Sequence, residues 1–469
     1  MKIIKGKGAP TIDTVGDEGD LYVNIAGKSV YECTGTDNPG RDLGFVITYH
    51  DHDNAYVWEP AKVDTFNKVT FMDYDGTILY SYTIEEANAL TELPPYPEHN
   101  GLICQGWNYS LESVQNTEYP LNVGAMYTTD DGKTRIYVTL PEGRTSPILS
   151  CCPNGTVTVD WGDGTEPDVL TGDSVSDLVS TPKHEYASAG DYIITLTVDG
   201  ELGFYGNNSS SLLLGKPYDT VGYDPYLSTI TRIEIGDNVI NIDYNAFDSC
   251  FALKYITIPN SVTSFSEYIF RDCLSLVSVV LPDSTNIIGE EAFEHCYSLS
   301  SISIPNSVTE ICTDAFMDCS SLKSVVIPGS VVYIMYNAFE CCYNLTTVFI
   351  HPGVTKIYDC AFEQCKSLSY IYIPDTIDKI YCESFYNAYL LKTITIPGNI
   401  KSIDEYTFYN CTSMLYYDFT SHTSVPILYE TVAFGGIPDD CEILVPAALY
   451  DEWVNATNWV KYADHIVAV

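Results

Sequence analysis

The chain has 469 residues, with 22 Lys or Arg against 63 Asp or Glu, and therefore a formal net charge of −41. A field of that sign repels phosphate backbones and anionic headgroups, so we expect no nucleic-acid partner and no docking on a membrane. No apolar run approaches the roughly 18 residues that a membrane span needs, so we expect no membrane insertion. The hydrophobic fraction of 45% is sufficient for packed cores, and the length predicts several domains.

In residues 1–62, Ile3 and Ile4 alone form the first apolar stretch, so we expect no signal peptide here. Residues 8–11 read GAPT, and later segments read GDLYV and VYECT. This pattern resembles the short β-module near the N-termini of bacteriophage tail and baseplate proteins. The resemblance implies that the chain is assembled in the host cytoplasm, contacts other tail or baseplate proteins, and forms a symmetric homo-oligomer such as a trimer.

The sequence His50-Asp51-His52-Asp53 is a first candidate for metal binding. Two histidines separated by one residue project from the same face of a strand, where both imidazoles can bind a transition metal. The alternative, which we favour, is a solvated surface loop.

Residues 63–140 predict a second β-module. A strand that runs into an Asp-Gly turn is followed by PPYP at 94–97 and GWN at 106–108. These motifs resemble the small β-grasp repeat of internalin-type surface proteins. Asp73 and Asp75 are interpreted as residues that form the turn rather than as calcium ligands.

Residues 141–200 predict a β-sandwich. An alternating strand ends in the tight turn WGDGT at 161–165, and the segments HEY, AGDY and IITLTV follow. This succession resembles the polycystic-kidney-disease-type (PKD) immunoglobulin-like domain, which implies a spacer or a weak binding module. Asp160 and Asp163 offer hard oxygen ligands to Ca²⁺; the alternative, which we favour, is that Asp163 forms the turn. Residues 201–228 are assigned to a linker or an N-terminal cap of the next domain.

Residues 229–420 repeat with a period of 23. A phenylalanine column defines the period, at Phe247, Phe270, Phe293, Phe316, Phe339, Phe362, Phe385 and Phe408. A cysteine follows three residues after each Phe, except that Ala388 occupies the seventh position. A leucine follows three residues further on, except that Met414 occupies the last position. An aliphatic residue and a proline end most units, and His351 stands where one proline is expected.

The repeat predicts a solenoid. The end of each unit alternates as a short strand does, and the proline that follows ends the strand because it has no N–H for the ladder. One unit cannot bury its apolar side alone, so the units are expected to stack into a continuous core. The pattern resembles the BspA-like class of bacterial leucine-rich repeats. The predicted fold is therefore mainly β and multi-domain: N-terminal β-modules, a β-grasp repeat, a PKD-like sandwich and a leucine-rich-repeat solenoid.

The cysteine column is predicted to be reduced, because free cysteine packs as a small buried hydrophobe. Residues 421–469 are predicted to cap the last unit. Trp453 and Trp459 are large enough to cover its exposed core.

The predicted binding surface is the outward side of the repeat strands, since side chains alternate between the two faces of a strand. Serine and threonine form most of this stripe, and aromatic residues interrupt it. The candidate ligand-binding residues are Tyr255, Phe349, Tyr370, Tyr372 and Tyr416. Tyrosine and serine are the residues that antibody paratopes use, and aromatic rings stack on sugars. The alternative is that Tyr and Thr are present as good strand formers.

The motifs of common catalytic sites are missing from the sequence, including HExxH, a P-loop, GxGxxG and paired CxxC knuckles. We therefore expect no enzyme and no cofactor apart from Ca²⁺. The chain is interpreted as an adhesion or receptor-binding structural protein of a bacteriophage virion, associated with the tail or baseplate. Its repeat array would bind a host-surface or mucosal glycan or protein. The alternatives are a bacterial cell-surface adhesin and a head-decoration protein.

Overall fold

The computed structural model describes residues 68–142, 149–182, 184–205 and 229–469, and the backbone of six strands before them. Those strands are Ile3–Gly6, Leu21–Asn24, Ser29–Glu32, Arg41–Asp42, Phe45–His50 and Ala55–Pro60. The first four form one sheet in chain order, and the last two form an antiparallel pair. The side chains of His50, Asp51, His52 and Asp53 lie outside the described residues, as does most of the expected linker at 201–228. The N-terminal virion module stays a prediction.

The chain folds into two compact units. The first comprises residues 1–69, 81–91 and 114–121, and the second comprises residues 70–80, 92–113 and 122–469. No helix in the described part of the chain is both long and apolar enough to cross a membrane.

The region expected to be β-grasp contains a four-stranded sheet and two short helices. In sheet order the strands are Ile78–Thr83, Lys68–Met72, Leu121–Thr129 and Leu102–Trp107, and the helices are Ile84–Asn88 and Leu111–Gln115. The first helix begins with a capping box, in which Thr83 accepts from the backbone N–H of Glu86 and Glu86 accepts from that of Thr83. In the sheet's core, Phe71 packs edge-on against Trp107 with ring centroids 4.9 Å apart.

Nine of the described strands between residues 134 and 265 share one sheet. Its order is Asp168–Asp173, Ser150–Asp160, Gly190–Phe204, Thr134–Leu140, Ile230–Glu234 and Tyr255–Thr257, and the short strand Val179–Ser180 also pairs with Ser150–Asp160. The last two strands already belong to the repeat array. The first half of Gly190–Phe204 pairs with Thr134–Leu140, and its end pairs with Val239–Ile242 of the array.

The expected separate sandwich at 141–200 is therefore continuous with the solenoid. The boundary expected at residue 200 falls inside the strand Gly190–Phe204, and one hydrophobic core extends from Ile136 to Ile466. The physical reason is that the first coil of a solenoid exposes its apolar side, which another element has to cover. Phe204 does so: it is fully buried, and its ring lies 5.5 Å from that of Phe247.

In the described residues the array contains two rows of parallel strands, called ladders below, and each row is hydrogen-bonded in groups rather than from end to end. The first has eleven strands: Ile230–Glu234, Tyr255–Thr257, Ser278–Val280, Ser301–Ser303, Ser324–Ile327, Thr347–Ile350, Tyr370–Tyr372, Thr393–Thr395, Tyr416–Asp418, Glu442–Val445 and Ile466–Ala468. The second has nine shorter strands: Val239–Ile242, Ser264–Phe265, Ile287–Ile288, Glu310–Ile311, Tyr333–Ile334, Lys356–Ile357, Lys379–Ile380, Ser402–Ile403 and Ile427–Leu428. The outward side of the first ladder is called the strand face below.

The phenylalanine column forms a stack through the middle of the array. From Phe247 to Phe408 the neighbouring rings lie 5.0–5.7 Å apart, within 23° of parallel. All eight rings are fully buried. On each side of the ring the chain bends through a residue with φ between +51° and +61°, two positions before and two positions after the Phe. Left-handed backbone is unfavourable for residues other than glycine, so the packing of the coils has to offset its cost.

The cysteine column is reduced, as predicted, throughout the described residues. Each buried thiol from Cys273 to Cys365, and that of Cys411, donates to the carbonyl of the Phe in the preceding coil, with Sγ to O distances of 3.2–3.5 Å. The thiols thus both fill space and satisfy a buried acceptor.

The C-terminal segment differs from the expected cap because it adds two more strands to the first ladder. Glu442–Val445 pairs in parallel with Tyr416–Asp418, and Ile466–Ala468 pairs in parallel with Glu442–Val445. The 3₁₀ turn Ala447–Leu449, the helix Tyr450–Asn455 and the 3₁₀ helix Trp459–His465 connect them. Trp453 and Trp459 lie in this connection, both fully buried, with Phe419 5.0 and 5.6 Å away respectively. The two tryptophans therefore cover the end of the core.

We expect Phe316→Ala to lower the free energy of unfolding by about 3–5 kcal/mol, because the ring is stacked between those of Phe293 and Phe339. Urea unfolding followed by circular dichroism measures the change. Val332→Ala, at a side chain that is 37% exposed, is the control and should shift stability by less than about 0.5 kcal/mol. Equal effects of the two substitutions would contradict the stacking argument.

Candidate functional site

The strand face presents the side chains that alternate with the buried aliphatic residues. Val348 and Ile371 lie on the inner side and are no more than 5% exposed, whereas Phe349 and Tyr372 lie on the outer side and are half-buried. The parallel register places Phe349 beside Tyr372 and Thr347 beside Tyr370. The predicted stripe is therefore present here as two adjacent columns.

Phe349 and Tyr372 form a stacked pair. Their ring centroids lie 4.7 Å apart and the ring planes differ by 14°. His351 packs edge-on against Phe349 at 5.7 Å. Tyr370 lies in the other column, where partial burial raises the pKa of its hydroxyl. The predicted aromatic island is thus a stacked pair with a separate tyrosine beside it.

Tyr255 and Tyr416 lie on the same face but away from this pair. Tyr255 pairs with Arg232 at the start of the array, and three strands separate it from the strand of Phe349. Tyr416 pairs with Thr393, and one strand separates it from Tyr370. The structure therefore brings three of the five predicted residues together and leaves the other two apart.

Near the start of the array, the strand face is in contact with another part of the same chain. Asn108 is 1% exposed, and its side-chain amide donates to the carbonyl oxygen of Leu281 at 3.1 Å and to the hydroxyl of Ser303 at 2.9 Å. Its side-chain oxygen accepts from the backbone N–H of Gly124 at 2.7 Å. The hydroxyl of Tyr109 donates to the carbonyl oxygen of Ile304 at 2.6 Å. The two residues directly after the strand Leu102–Trp107 thus bind the ends of the repeat strands.

Close approach of the two surfaces depends on small residues. A Cβ atom at Gly124 would lie 2.5 Å from the Cγ1 of Val280, and one at Gly76 would lie 2.7 Å from the Oγ of Ser301. Ser278 and Ser303 are fully buried although their positions face outward. Serines that the sequence assigned to a binding stripe are therefore covered by the chain itself.

Sequence reasoning missed this contact. Asn108 was noticed only as part of a β-grasp-like motif, and its partners lie 173 and 195 residues away. The available signal was local: small Ser301 and Ser303 occupy the positions at which a later strand carries Tyr370 and Tyr372. Such a change in side-chain size along the array indicates that one part of the face is in contact with something different from the other part.

Carboxylate side chains lie along the bends beside the phenylalanine column and form a surface called the acidic face below. Its half-buried and exposed carboxylates include Asp272, Glu290, Glu291, Glu294, Asp314, Asp318, Glu340, Glu363 and Glu383. Arg271 donates to Asp248 and Glu291 there, and His295 pairs with Asp272 at 2.9 Å. Burial raises the pKa of Glu294 and of Glu340 to about 7, and neighbouring carboxylates add to the rise. Glu294 and Glu340 therefore keep their protons at pH values at which isolated carboxyl groups are ionised.

One group on the acidic face combines a thiol with carboxylates. The Sγ of Cys360 and one oxygen each of Glu363 and Glu383 all lie within 4.8 Å of one another, and all three residues are half-buried. Cys360 lies 3.7 Å from the Oε2 of Glu383. In the described part of the chain this is the one cluster that brings three such donors together.

Asp160 and Asp163 hold the turn that the sequence predicted. Asp160 accepts from the backbone N–H of Gly162 at 2.9 Å, and Asp163 accepts from the backbone and the hydroxyl of Thr165. These hydrogen bonds and that of His184 keep the pKa of Asp163 below its usual value, although partial burial opposes them as the largest single influence. Calcium binding by Asp160 and Asp163 stays a prediction.

Asp73 is also a turn residue, because its carbonyl accepts from Gly76 and its backbone N–H donates to Thr77. Its carboxylate also pairs with His99 at 2.8 Å. Asp75 accepts from the backbone N–H of Thr77 at 2.9 Å. Both aspartates therefore have the role expected from the sequence.

Comparison with known proteins identifies the repeat type. Residues 225–346 and 286–415 match the family described as the BspA type leucine rich repeat region, in six copies. Residues 1–224 lie outside this match, so the resemblances to phage, internalin and PKD modules stay predictions. No curated protein matches the chain.

Several solved structures resemble the chain in part. A leucine-rich repeat protein from Bacteroides ovatus has 18% identity over 49% of this chain and 77% of its own, with a TM-score of 0.33. A leucine rich cell surface protein from Faecalibacterium prausnitzii has 20% identity over 48% and 85%, with a TM-score of 0.25. A leucine rich repeat protein from T. pallidum has 26% identity over 41% and 86%, with a TM-score of 0.31.

Tyr109→Phe removes one hydroxyl from the contact on the strand face and leaves the carbonyl of Ile304 without that donor. We expect a loss of about 1–3 kcal/mol in the free energy of unfolding, measured with urea. The control is Tyr96→Phe, at a ring that is 47% exposed, which should be neutral. If both variants unfold like the unmodified protein, the hydrogen bond contributes nothing to the contact.

The raised pKa of Glu340 predicts that the stability of the protein depends on pH. Its folded pKa of about 7 exceeds the ordinary value of 4.5, so the folded chain holds this proton more tightly than the unfolded chain. Its favourable contribution is complete below pH 4.5 and is lost as the pH rises through 7. We therefore expect Glu340→Gln to stabilise the protein at pH 8 and to have a smaller effect at pH 5, measured by thermal unfolding.

The matched control is Glu430→Gln, which removes one charge from an exposed position. It should not reproduce the difference between pH 5 and pH 8. A Glu340→Gln effect that is the same at both pH values would show that the carboxyl group does not titrate in this range.

Proposed function

We propose that this chain, whose repeat array is of the BspA leucine-rich type, is a non-enzymatic adhesion protein that binds a surface glycan or protein through its strand face. The observation that carries the proposal is the contact of Asn108 and Tyr109 with the strand ends at Leu281 and Ile304. The same kind of surface therefore already recognises polypeptide within the chain.

The chemistry of the later strands suits recognition. The stacked rings of Phe349 and Tyr372 provide a rigid apolar surface, and Thr393 and Thr395 add hydroxyl groups on the next strand. Rigid aromatic area loses little conformational entropy on binding, while hydroxyls adapt to the polar groups of a ligand. Because the backbone of the array is held by two ladders, these side chains need little reorganisation before they bind.

Three placements of the protein are proposed. The first is a bacteriophage virion, with residues 1–62 joined to other tail or baseplate proteins in a homo-oligomer such as a trimer. It rests on the resemblance of those residues to phage modules. The second is the surface of a bacterial cell, and it rests on the BspA-type repeat match. Attachment to a phage head is a third variant of the same role. All three expose the strand face outside a cell.

The binding test uses the full chain on a glycan array and on whole bacterial cells. We expect the combined substitution Phe349→Ala, Tyr370→Ala and Tyr372→Ala to reduce binding at least about tenfold, because it removes the aromatic surface. The control substitution is Tyr333→Ala, Tyr336→Ala and Tyr343→Ala, at three exposed tyrosines outside the strand face. This control removes equal aromatic content and should bind as the unmodified protein does.

Circular dichroism and thermal unfolding establish that both triple variants are folded. Binding that is lost equally in the two variants would assign the effect to general aromatic content rather than to the strand face. Binding that survives in both would move the site to another surface of the chain.

Immunogold labelling distinguishes a placement on phage particles from a placement on the bacterial surface. An antibody against the repeat array is applied to intact producing cells and to particles released after prophage induction. Label on tails or baseplates is expected from the phage placement, whereas label on the envelope of intact cells, with bare particles, would support the bacterial placement. A protein that labels neither would contradict an exposed adhesive role.

A further inference from the structure

We propose that Cys360, Glu363 and Glu383 bind a divalent metal ion of the zinc class. The three side chains come from two successive coils of the array, and their donor atoms already converge within 4.8 Å of one another. Zinc accepts both thiolate and carboxylate ligands, at about 2.3 Å for sulfur and about 2.0–2.2 Å for oxygen. Donors around such an ion lie about 3–4 Å apart, so small side-chain rotations are enough to close the site.

The fold explains why these donors meet. Cys360 and Glu383 occupy the same position of the repeat, two residues before Phe362 and Phe385, so they lie side by side in neighbouring coils. Glu363 follows Phe362 directly on the other side of the bend. The stacked phenylalanines thus hold the three backbones at a fixed separation. A preformed arrangement reduces the entropy that ligands lose when an ion binds.

The cysteines at this site have a different setting from those of the buried column. Cys341, Cys360 and Cys382 are free and half-buried on three successive coils, whereas Cys342 and Cys365 of the column are completely buried. In other coils the position of Cys360 carries polar residues such as Asp314 and Asn337. Packing therefore explains the column and does not explain a thiol here.

A comparison of the carboxylates near each neighbouring thiol shows which cysteine is placed to act as the ligand. Cys341 lies 3.8 Å from the carboxylate of Glu340, and the thiol of Cys382 interacts with Asp359. Among the thiols that the structure describes, Cys360 is the one that lies within 4.8 Å of oxygens from two carboxylates that are also that close to each other. A thiolate among oxygen donors favours zinc, cobalt or cadmium over Ca²⁺ and Mg²⁺, which prefer oxygen ligands alone.

The first experiment titrates the full chain, reduced and freed of metal, with Co²⁺ and records its absorption spectrum. We expect one equivalent of cobalt to bind with a thiolate-to-metal charge-transfer band, and Zn²⁺ to displace it. Cys360→Ser should abolish the band, and Glu383→Gln should weaken binding at least about tenfold. Cys382→Ser and Cys312→Ser, at half-buried thiols outside the group, should leave the band unchanged.

The second experiment needs no variant. The folded chain is alkylated with iodoacetamide with and without Zn²⁺, and the labelled cysteines are identified by mass spectrometry. Zinc should slow alkylation of Cys360 while that of Cys312 stays the same. A cobalt spectrum without a thiolate band, a band that persists in Cys360→Ser, or equal alkylation of Cys360 with and without zinc would each overturn the proposal.

Discussion

Each coil of the array leaves its apolar side uncovered until another element packs on it, and the rest of the structure follows from this constraint. Within the array, the phenylalanine rings stack at 5.0–5.7 Å and the buried thiols donate to the carbonyls of the coil before them. At the two ends of the array, other elements among the described residues take the place of a neighbouring coil. The strand Gly190–Phe204 covers the first coil, and Trp453 and Trp459 cover the last.

The inner part of this arrangement could be predicted from the sequence because it is periodic. The Phe, Cys and Leu columns each repeat every 23 residues, and side chains that repeat in step lie above one another in a solenoid. The reduced state of the cysteine column and the closing position of Trp453 and Trp459 follow from the same reasoning. Local turn chemistry was also predictable, since Asp163 and Thr165 interact across two residues.

The parts that could not be predicted involve partners distant in sequence or a change of period. Asn108 meets Leu281 across 173 residues, and a serine-rich strand taken by itself does not distinguish a surface for a ligand from one covered by the chain. The distinction appears only when that strand is compared with the later, aromatic strands. The last two strands of the first ladder were assigned to a cap, because Phe434 follows Phe408 by 26 residues instead of 23. The sequence analysis placed a boundary at residue 200 because the resemblance to a PKD-type domain ends there. The strand Gly190–Phe204 continues past that residue and pairs with the array.

The strand Thr134–Leu140 also determines how tension would pass through the protein. It is antiparallel to a neighbour on each edge, with seven residue pairs to Gly190–Phe204 and four to Ile230–Glu234. A pull on the chain upstream of this strand acts along its length, so these hydrogen bonds are loaded together in shear. The coils that follow are joined sideways, through parallel strand pairs and stacked rings. The sheet that would be loaded in shear therefore lies directly before the repeat coils.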